Sequence, residues 1–150
     1  MKTPKPLQPL LLLLAGCAGG GSTPMPTPNL SPAEQEKSYQ EATAAYDQRD
    51  YKRALALLRP LAQAGHSDAI SRMGQMYIHG EGVTQNYATA KDWFEKLAAN
   101  YPKGYWFIGR LYEKGGPGLE KDLAKACDYY RKSGDSWSWT SDVERICPSP

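Results

Sequence analysis

The chain has 150 residues, of which 18 are Lys or Arg and 16 are Asp or Glu. Two of the lysines, Lys2 and Lys5, lie in an N-terminal segment with the pattern of a cleaved signal, so 16 residues of each sign remain after it. Such a balance leaves no long-range field that would attract a nucleic acid or an anionic membrane surface. We therefore expect no nucleic-acid partner.

The first residues have the order of a secretory signal: two lysines, an apolar run from Leu10 to Leu14, and small residues before a cysteine. The apolar stretch is far shorter than the ~20 residues of a membrane-spanning helix, so we predict a cleaved signal peptide over residues 1–16. Leu14-Ala15-Gly16-Cys17 resembles the lipobox of bacterial lipoproteins. The resemblance implies that Cys17 is acylated, palmitate included, and becomes the mature N-terminus. An ordinary signal peptide with an incidental cysteine is the alternative.

Residues 17–31 contain many Gly, Ser and Pro residues and almost no apolar side chains. They are predicted to form the lipidated cysteine and a flexible tether, because such a segment buries too little apolar surface to fold. Lipoproteins retained in the inner membrane of enteric-type bacteria usually carry Asp after the lipidated cysteine. Ala18 stands at that position here, so the resemblance implies a lipid anchor on the periplasmic face of the outer membrane.

The segment 32–147 is helical in pattern, and Ser31, Pro32 and Glu34 provide a capping box at its start. Its apolar residues recur with a period of 36 residues, as in Ala54, Ala90 and Ala126. Such a period is typical of stacked helix pairs that each bury one face against the next. The sequence therefore predicts an all-α fold, a short α-solenoid of antiparallel helix pairs.

Two of the repeating units share a pattern of glycines and aromatic residues. The unit containing Gly74, Tyr77, Gly80, Gly82, Ala90, Trp93 and Phe94 is followed by one containing Gly109, Tyr112, Gly115, Gly118, Ala126, Tyr129 and Tyr130. Both resemble Sel-1-like repeats, longer-looped relatives of the tetratricopeptide repeat. The first unit lacks the glycine-rich loop and resembles a plain tetratricopeptide repeat. Gly74 and Gly109 are expected to let the two helices of their pairs approach closely.

The helix pairs are predicted over 32–48 with 51–64, 68–79 with 87–100, and 103–114 with 121–133. A final helix, starting at Asp135 and running through Cys147, is predicted to cap the array, since terminal repeats need a cover. Once Cys17 is set aside, Cys127 and Cys147 form an even pair in an oxidising compartment, which suggests one disulfide. Two buried free thiols are the alternative.

We expect no enzymatic activity, no metal and no cofactor. His66 and His79 have no Cys, His or carboxylate at a metal-ligand spacing. The sequence also lacks a G-x-S-x-G nucleophile motif and a phosphate-binding loop motif.

The first helices of the pairs are expected to line the concave face of the array. Eight residues fall off the core stripe of these helices, Ser71 and Lys114 among them. The other six form the candidate protein-binding surface: Arg72, Gln75, His79, Trp106, Phe107 and Arg110. Large aromatic residues at exposed positions often mark recognition surfaces, so truncating Trp106 or Phe107 is expected to leave stability nearly unchanged. In the alternative, both pack on the capping helix beside Trp137 and Trp139.

The resemblance implies a membrane-anchored interaction module, a scaffold or adaptor that binds an envelope protein or peptide. The alternative is an envelope protein that binds, or also hydrolyses, peptidoglycan or another polysaccharide. Hydrolysis would need a pair of carboxylates flanking the groove. Glu81, Glu113 and Glu120 are available, but nothing in their spacing brings them together.

Overall fold

The structure is a computed structural model that describes residues 30–134 and 140–147. These residues form the helices α1 Pro32–Asp47, α2 Tyr51–Gln63, α3 Ser67–His79, α4 Tyr87–Ala98, α5 Lys103–Lys114, α6 Leu123–Lys132 and α7 Thr140–Ile146. Each helix packs against the next one along the chain, from α1 on α2 to α6 on α7. The predicted all-α solenoid of helix pairs is confirmed.

Several sequence predictions lie outside the described residues. They include the signal peptide over 1–16, the lipidation of Cys17 and all but the end of the tether. Among the helices of the described ranges, none combines the length and apolar character needed to cross a membrane.

Polar side chains explain where the helices begin. The Ser31 hydroxyl accepts a hydrogen bond from the Glu34 backbone N–H at 3.4 Å, and the Glu34 carboxylate accepts one from the Ser31 N–H at 2.8 Å. The predicted capping box is therefore formed. Asp50, Asn86 and Asp122 start α2, α4 and α6 in the same manner, each accepting a backbone N–H bond of 3.1, 2.9 and 2.9 Å respectively.

The core follows the 36-residue register of the sequence. Small residues recur at one position of each second helix and large residues at another, and all of them are buried. The small ones are Ala54, Ala90 and Ala126, and the large ones are Leu58, Phe94 and Tyr130.

The helices of the second and third pairs meet where a glycine faces an aromatic ring. A Cβ atom added to Gly74 would lie 2.5 Å from the ring of Phe94, and one added to Gly109 would lie 2.7 Å from the ring of Tyr130. Both distances are well inside van der Waals contact, so the rings occupy space that any side chain would need. The close approach expected at Gly74 and Gly109 is thus present.

Of the predicted capping helix, the structure describes α7 from Thr140 to Ile146, whereas Asp135, Trp137 and Trp139 lie outside the described residues. The loop between α5 and α6 is one residue longer than the loop between α3 and α4. Gly116 and Leu119 exchange backbone hydrogen bonds of 2.8 and 2.9 Å that close this longer loop.

The fit between Gly74 and Phe94 yields a stability prediction. The substitution Gly74→Ala should lower the free energy of unfolding by about 1–3 kcal/mol, because its methyl group would overlap the Phe94 ring. The same substitution should cost much less in a Phe94→Leu background.

Urea denaturation of the four proteins in this double-mutant cycle measures the coupling. Phe94→Leu alone provides the control for the volume lost from the core. A Gly74→Ala cost that is equal in both backgrounds would show that the ring does not set the spacing of the helices.

Candidate functional site

The described surface has an apolar hollow between the first helices of the second and third pairs, a pocket of about 410 Å³. An adjoining hollow of about 240 Å³ extends toward α1 and shares Gln75 and Phe107 with it. We refer to the two together as the groove. Its remaining residues are Tyr39, Asp68, Ser71, Arg72, Ile78, His79, Tyr87, Lys103, Trp106, Arg110, Leu111, Glu113 and Lys114.

All six candidate binding residues of the sequence analysis lie in the groove. Five of them line the larger hollow: Gln75, His79, Trp106, Phe107 and Arg110. Arg72 lines the smaller one, one helical turn before Gln75 on α3. The structure thus brings together residues from α3 and α5 that are distant in sequence.

Phe107 is more deeply integrated than the sequence indicated. Its side chain is half-buried and packs against the hydrophobic core. The ring stacks on Phe94 of α4 with centroids 4.6 Å apart and planes inclined by 13°. It therefore forms the floor of the groove, and from this packing we expect its truncation to lower the stability, in contrast to the expectation from the sequence. Among the described residues, the ring on which it stacks belongs to α4 and not to α7.

Trp106 belongs to the wall of the groove and contacts the capping helix. Its indole N–H donates a hydrogen bond of 2.8 Å to the Asp142 carboxylate on α7. The indole ring also meets the edge of Phe107 at 5.1 Å. The alternative of the sequence analysis, packing on the capping helix, thus describes Trp106 better than free exposure does.

A second polar contact links α7 to the groove. The Arg145 guanidinium donates two hydrogen bonds to the Glu113 carboxylate, at 2.6 and 3.1 Å, and a third to Asp142 at 2.8 Å. The Tyr130 hydroxyl donates another hydrogen bond to Glu113. The bonds from Arg145, joined by the one from Tyr130, hold the pKa of the Glu113 carboxyl below its usual value despite partial burial. Burial and the bond to Glu113 raise the pKa of Tyr130.

A disulfide attaches α7 covalently to the array. The Sγ atoms of Cys127 in α6 and Cys147, just after α7, are 2.05 Å apart, and the Cα atoms are 5.1 Å apart. The cystine therefore holds the helix that carries Asp142 and Arg145 beside the groove.

Four cations of the groove lie over aromatic rings, among them Lys103, whose ammonium is 5.8 Å from the centre of the Tyr101 ring. The guanidinium carbon of Arg72 is 4.6 Å from the centre of the Tyr46 ring, and that of Arg110 is 5.1 Å from the ring of Trp106. The Lys114 ammonium lies 5.9 Å from the ring of Tyr87. Such contacts orient a cation without using its N–H donors.

The carboxylates proposed for hydrolysis lie in different settings. Glu81 accepts a hydrogen bond of 2.9 Å from the Tyr46 hydroxyl, Glu113 is bound to Arg145, and Glu120 is exposed in the loop before α6. A glycosidase needs a carboxylic acid with a raised pKa, whereas the pKa of Glu113 is lowered. Glu113 is therefore unsuited to act as a general acid.

The two histidines have different surroundings. His66 is the N-cap of α3: its Nδ1 accepts a hydrogen bond of 3.3 Å from the Ala69 N–H, and its ring stacks on Tyr39 at 5.0 Å. His79 is exposed at the rim of the groove. Within the described ranges, no three His, Cys, Asp or Glu side chains are grouped as a metal site would require.

Sequence reasoning missed the groove residues that the second helices and the first unit contribute. Tyr87 begins α4, and an alignment of the first helices alone does not include it. Tyr39 lies in α1, and the shorter loop of the first unit prevents a direct alignment of α1 with α3 and α5. The 36-residue register includes Tyr87, as the equivalent of Tyr51 and Leu123, but does not indicate that it lines a groove, and it does not include Tyr39.

Three comparisons with known proteins bear on this architecture. The Sel1 repeat family model matches residues 44–66, 67–101 and 102–136, which together cover more than half of the chain. The chain belongs to the Sel1 repeat family. The first unit, interpreted above as a plain tetratricopeptide repeat, is thus matched as a shorter Sel1 repeat.

Two solved structures share the fold. A Sel1 repeat protein from Oxalobacter formigenes superposes with a TM-score of 0.62 over 72% of this chain and 45% of its own, at 24% identity. A protective antigen present in uropathogenic Escherichia coli strains, displaying an SLR fold, superposes with a TM-score of 0.57 at 28% identity. That match covers 67% of this chain and 22% of the antigen.

A curated plant protein is also similar in sequence. The chain is 41% identical over 56 residues to the ERAD-associated E3 ubiquitin-protein ligase component HRD3B of Arabidopsis thaliana. The match spans 36% of this chain and 9% of that relative. Sel1 repeats act as protein–protein interaction modules, and the family is generally a non-catalytic scaffold.

The attachment of α7 yields a prediction about the disulfide. Cys127 and Cys147 are separated by 20 residues, and a crosslink closing a loop of this length stabilises a protein by about 3 kcal/mol. The double variant Cys127→Ala, Cys147→Ala should lose that amount in urea denaturation. Dithiothreitol should destabilise the wild-type protein to a similar extent and leave the double variant unaffected. Equal stability of the oxidised and reduced wild-type protein would show that the crosslink adds nothing.

Proposed function

We propose that this protein is a lipid-anchored adaptor of the bacterial cell envelope, which binds an envelope protein or peptide in the groove. The observation that carries the proposal is the groove itself. It is an open hollow with an apolar floor formed by Phe107 and Leu111 and a polar rim that includes Gln75 and Arg110. A side chain of a partner inserted there would be desolvated, while its backbone would meet donors and acceptors at the rim.

The proposed anchor is the acyl group on Cys17, and the proposed location is the periplasmic face of the outer membrane. Its support is the lipobox-like segment Leu14–Cys17 and the Ala18 that follows. Two of the similar solved structures come from bacteria, which agrees with the bacterial setting of lipoproteins. A disulfide between Cys127 and Cys147 also suits an oxidising envelope compartment.

The adaptor proposal is tested by site-specific photo-crosslinking in native membranes. Benzoylphenylalanine at Gln75, which lines both hollows, should form an adduct with one envelope protein. The matched control places the same group at Arg131, an exposed position of α6 that lies outside the groove.

An adduct that forms equally at Arg131 would argue against the groove as the binding surface. Recovery of muropeptides alone, without an envelope protein, would refute the adaptor and favour the polysaccharide-binding alternative. The melting temperature of both variants is compared with that of the wild-type protein, so that a misfolded variant is recognised.

The anchor is tested separately. Globomycin blocks the cleavage of lipoprotein signal peptides, so an unprocessed form with its signal peptide should accumulate in treated cells. Metabolic labelling with radioactive palmitate should mark the wild-type protein and not the Cys17→Ser variant. A chain that is processed normally in globomycin and takes up no label would exclude the lipid anchor.

A further inference from the structure

The charges of the groove are not balanced, although the chain beyond the proposed signal peptide is formally neutral. Its two carboxylates are already paired: Asp68 lies 3.6 Å from the Lys103 ammonium, and Glu113 lies 2.6 Å from the Arg145 guanidinium. Arg72, Arg110 and Lys114 form no ion pair with any described residue. The groove therefore presents an excess of positive charge to whatever binds it.

The three unpaired cations are placed along the groove. Arg110 and Lys114 are one helical turn apart on α5, and Arg72 lies on α3 in the adjoining hollow. Each lies over a ring, which restricts its position, and none of the three donates a side-chain hydrogen bond to a described residue. A guanidinium positioned over a ring in this way can donate two parallel hydrogen bonds to a carboxylate.

Contacts between a cation and a ring also occur outside the groove. Lys96 lies 4.4 Å from the centre of the Trp93 ring, and Lys132 lies 5.0 Å from the centre of the Tyr129 ring. Such contacts alone therefore do not mark a binding site. What distinguishes the groove is that its cations surround an apolar hollow. Phe107 and Leu111 form the floor of that hollow, and Ile78 adds an aliphatic wall. An aliphatic or aromatic side chain of a partner would fit against these residues.

We propose that the groove binds an acidic peptide segment of a partner protein, with an apolar side chain on the floor and carboxylates on Arg72, Arg110 and Lys114. This inference rests on the proposed function and specifies the partner. The N-terminal segment of the chain itself does not meet the requirement, because residues 1–29 contain no Asp or Glu.

The proposal is tested by selecting peptides from a random library displayed on phage against the purified wild-type protein. The selected sequences should be enriched in Asp and Glu around an aliphatic or aromatic residue. A selected peptide is then compared, by fluorescence anisotropy, with its isosteric form in which each Asp and Glu is replaced by Asn and Gln. The amide form should bind at least about tenfold more weakly, and the difference should shrink as salt is raised.

Substitutions in the protein locate the effect. The double variant Arg110→Gln, Lys114→Gln should lose most of the preference for the acidic form, about tenfold. The matched control, Lys96→Gln with Lys132→Gln, removes two cations that also lie over rings and should keep the full preference. All four positions are exposed, so each double variant is expected to fold, and its melting temperature verifies this.

Selection of neutral or basic peptides, or no enrichment at all, would overturn the proposal. Binding to vesicles of phosphatidylglycerol that depends on Arg110 and Lys114 in place of peptide binding would assign the anion to a lipid headgroup and also overturn it. These outcomes can be distinguished from those that would refute the proposed adaptor function. A partner crosslinked through Gln75 with no effect of the Arg110→Gln, Lys114→Gln variant leaves the adaptor standing and refutes only its acidic partner.

Discussion

The contact between a glycine and an aromatic ring within a helix pair is the constraint on which the groove depends. Phe94 occupies the space that a side chain at Gly74 would need, so α3 and α4 approach until the ring touches backbone. The same ring stacks on Phe107 of α5 at 4.6 Å. One side chain therefore fixes both the spacing inside the second pair and the floor of the groove between this pair and the next. A change in that spacing would displace the groove residues of α3 and α5 relative to each other.

The capping helix supplies polar partners to two side chains of the groove, Trp106 and Glu113. With 7 residues, α7 is too short to be stable as an isolated helix. Its position depends on the disulfide to α6, on the bond from Trp106 to Asp142 and on the ion pair between Arg145 and Glu113. Arg145 bonds to Glu113 and also to Asp142 of the cap itself, so the cap brings one cation and one carboxylate to this side of the groove. A helix outside the repeats thus engages Glu113, while Arg110 and Lys114 form no ion pair with a described residue.

The architecture could be predicted because it repeats locally. The 36-residue register identified the buried Ala54, Ala90 and Ala126, and the glycines indicated where helices approach each other. The details of the groove could not be predicted, because they arise between units. An alignment of the first helices predicts that Phe107 is exposed, whereas its ring stacks on that of Phe94 in the preceding helix pair. The bond from Trp106 to Asp142 joins the third unit to a helix that belongs to no repeat.

The groove and the proposed anchor also complement each other energetically. Ion pairs at an exposed rim contribute little individually, about 0–1 kcal/mol each, and a hollow of about 410 Å³ accepts only a small part of a partner. A free domain with such a surface would bind weakly. A domain tethered through acylated Cys17 would instead meet membrane-bound partners at the effective concentration set by its tether, which raises occupancy without any new contact. The lipid would then supply the affinity that the small groove lacks, and the cations and the apolar floor of the groove would supply its selectivity.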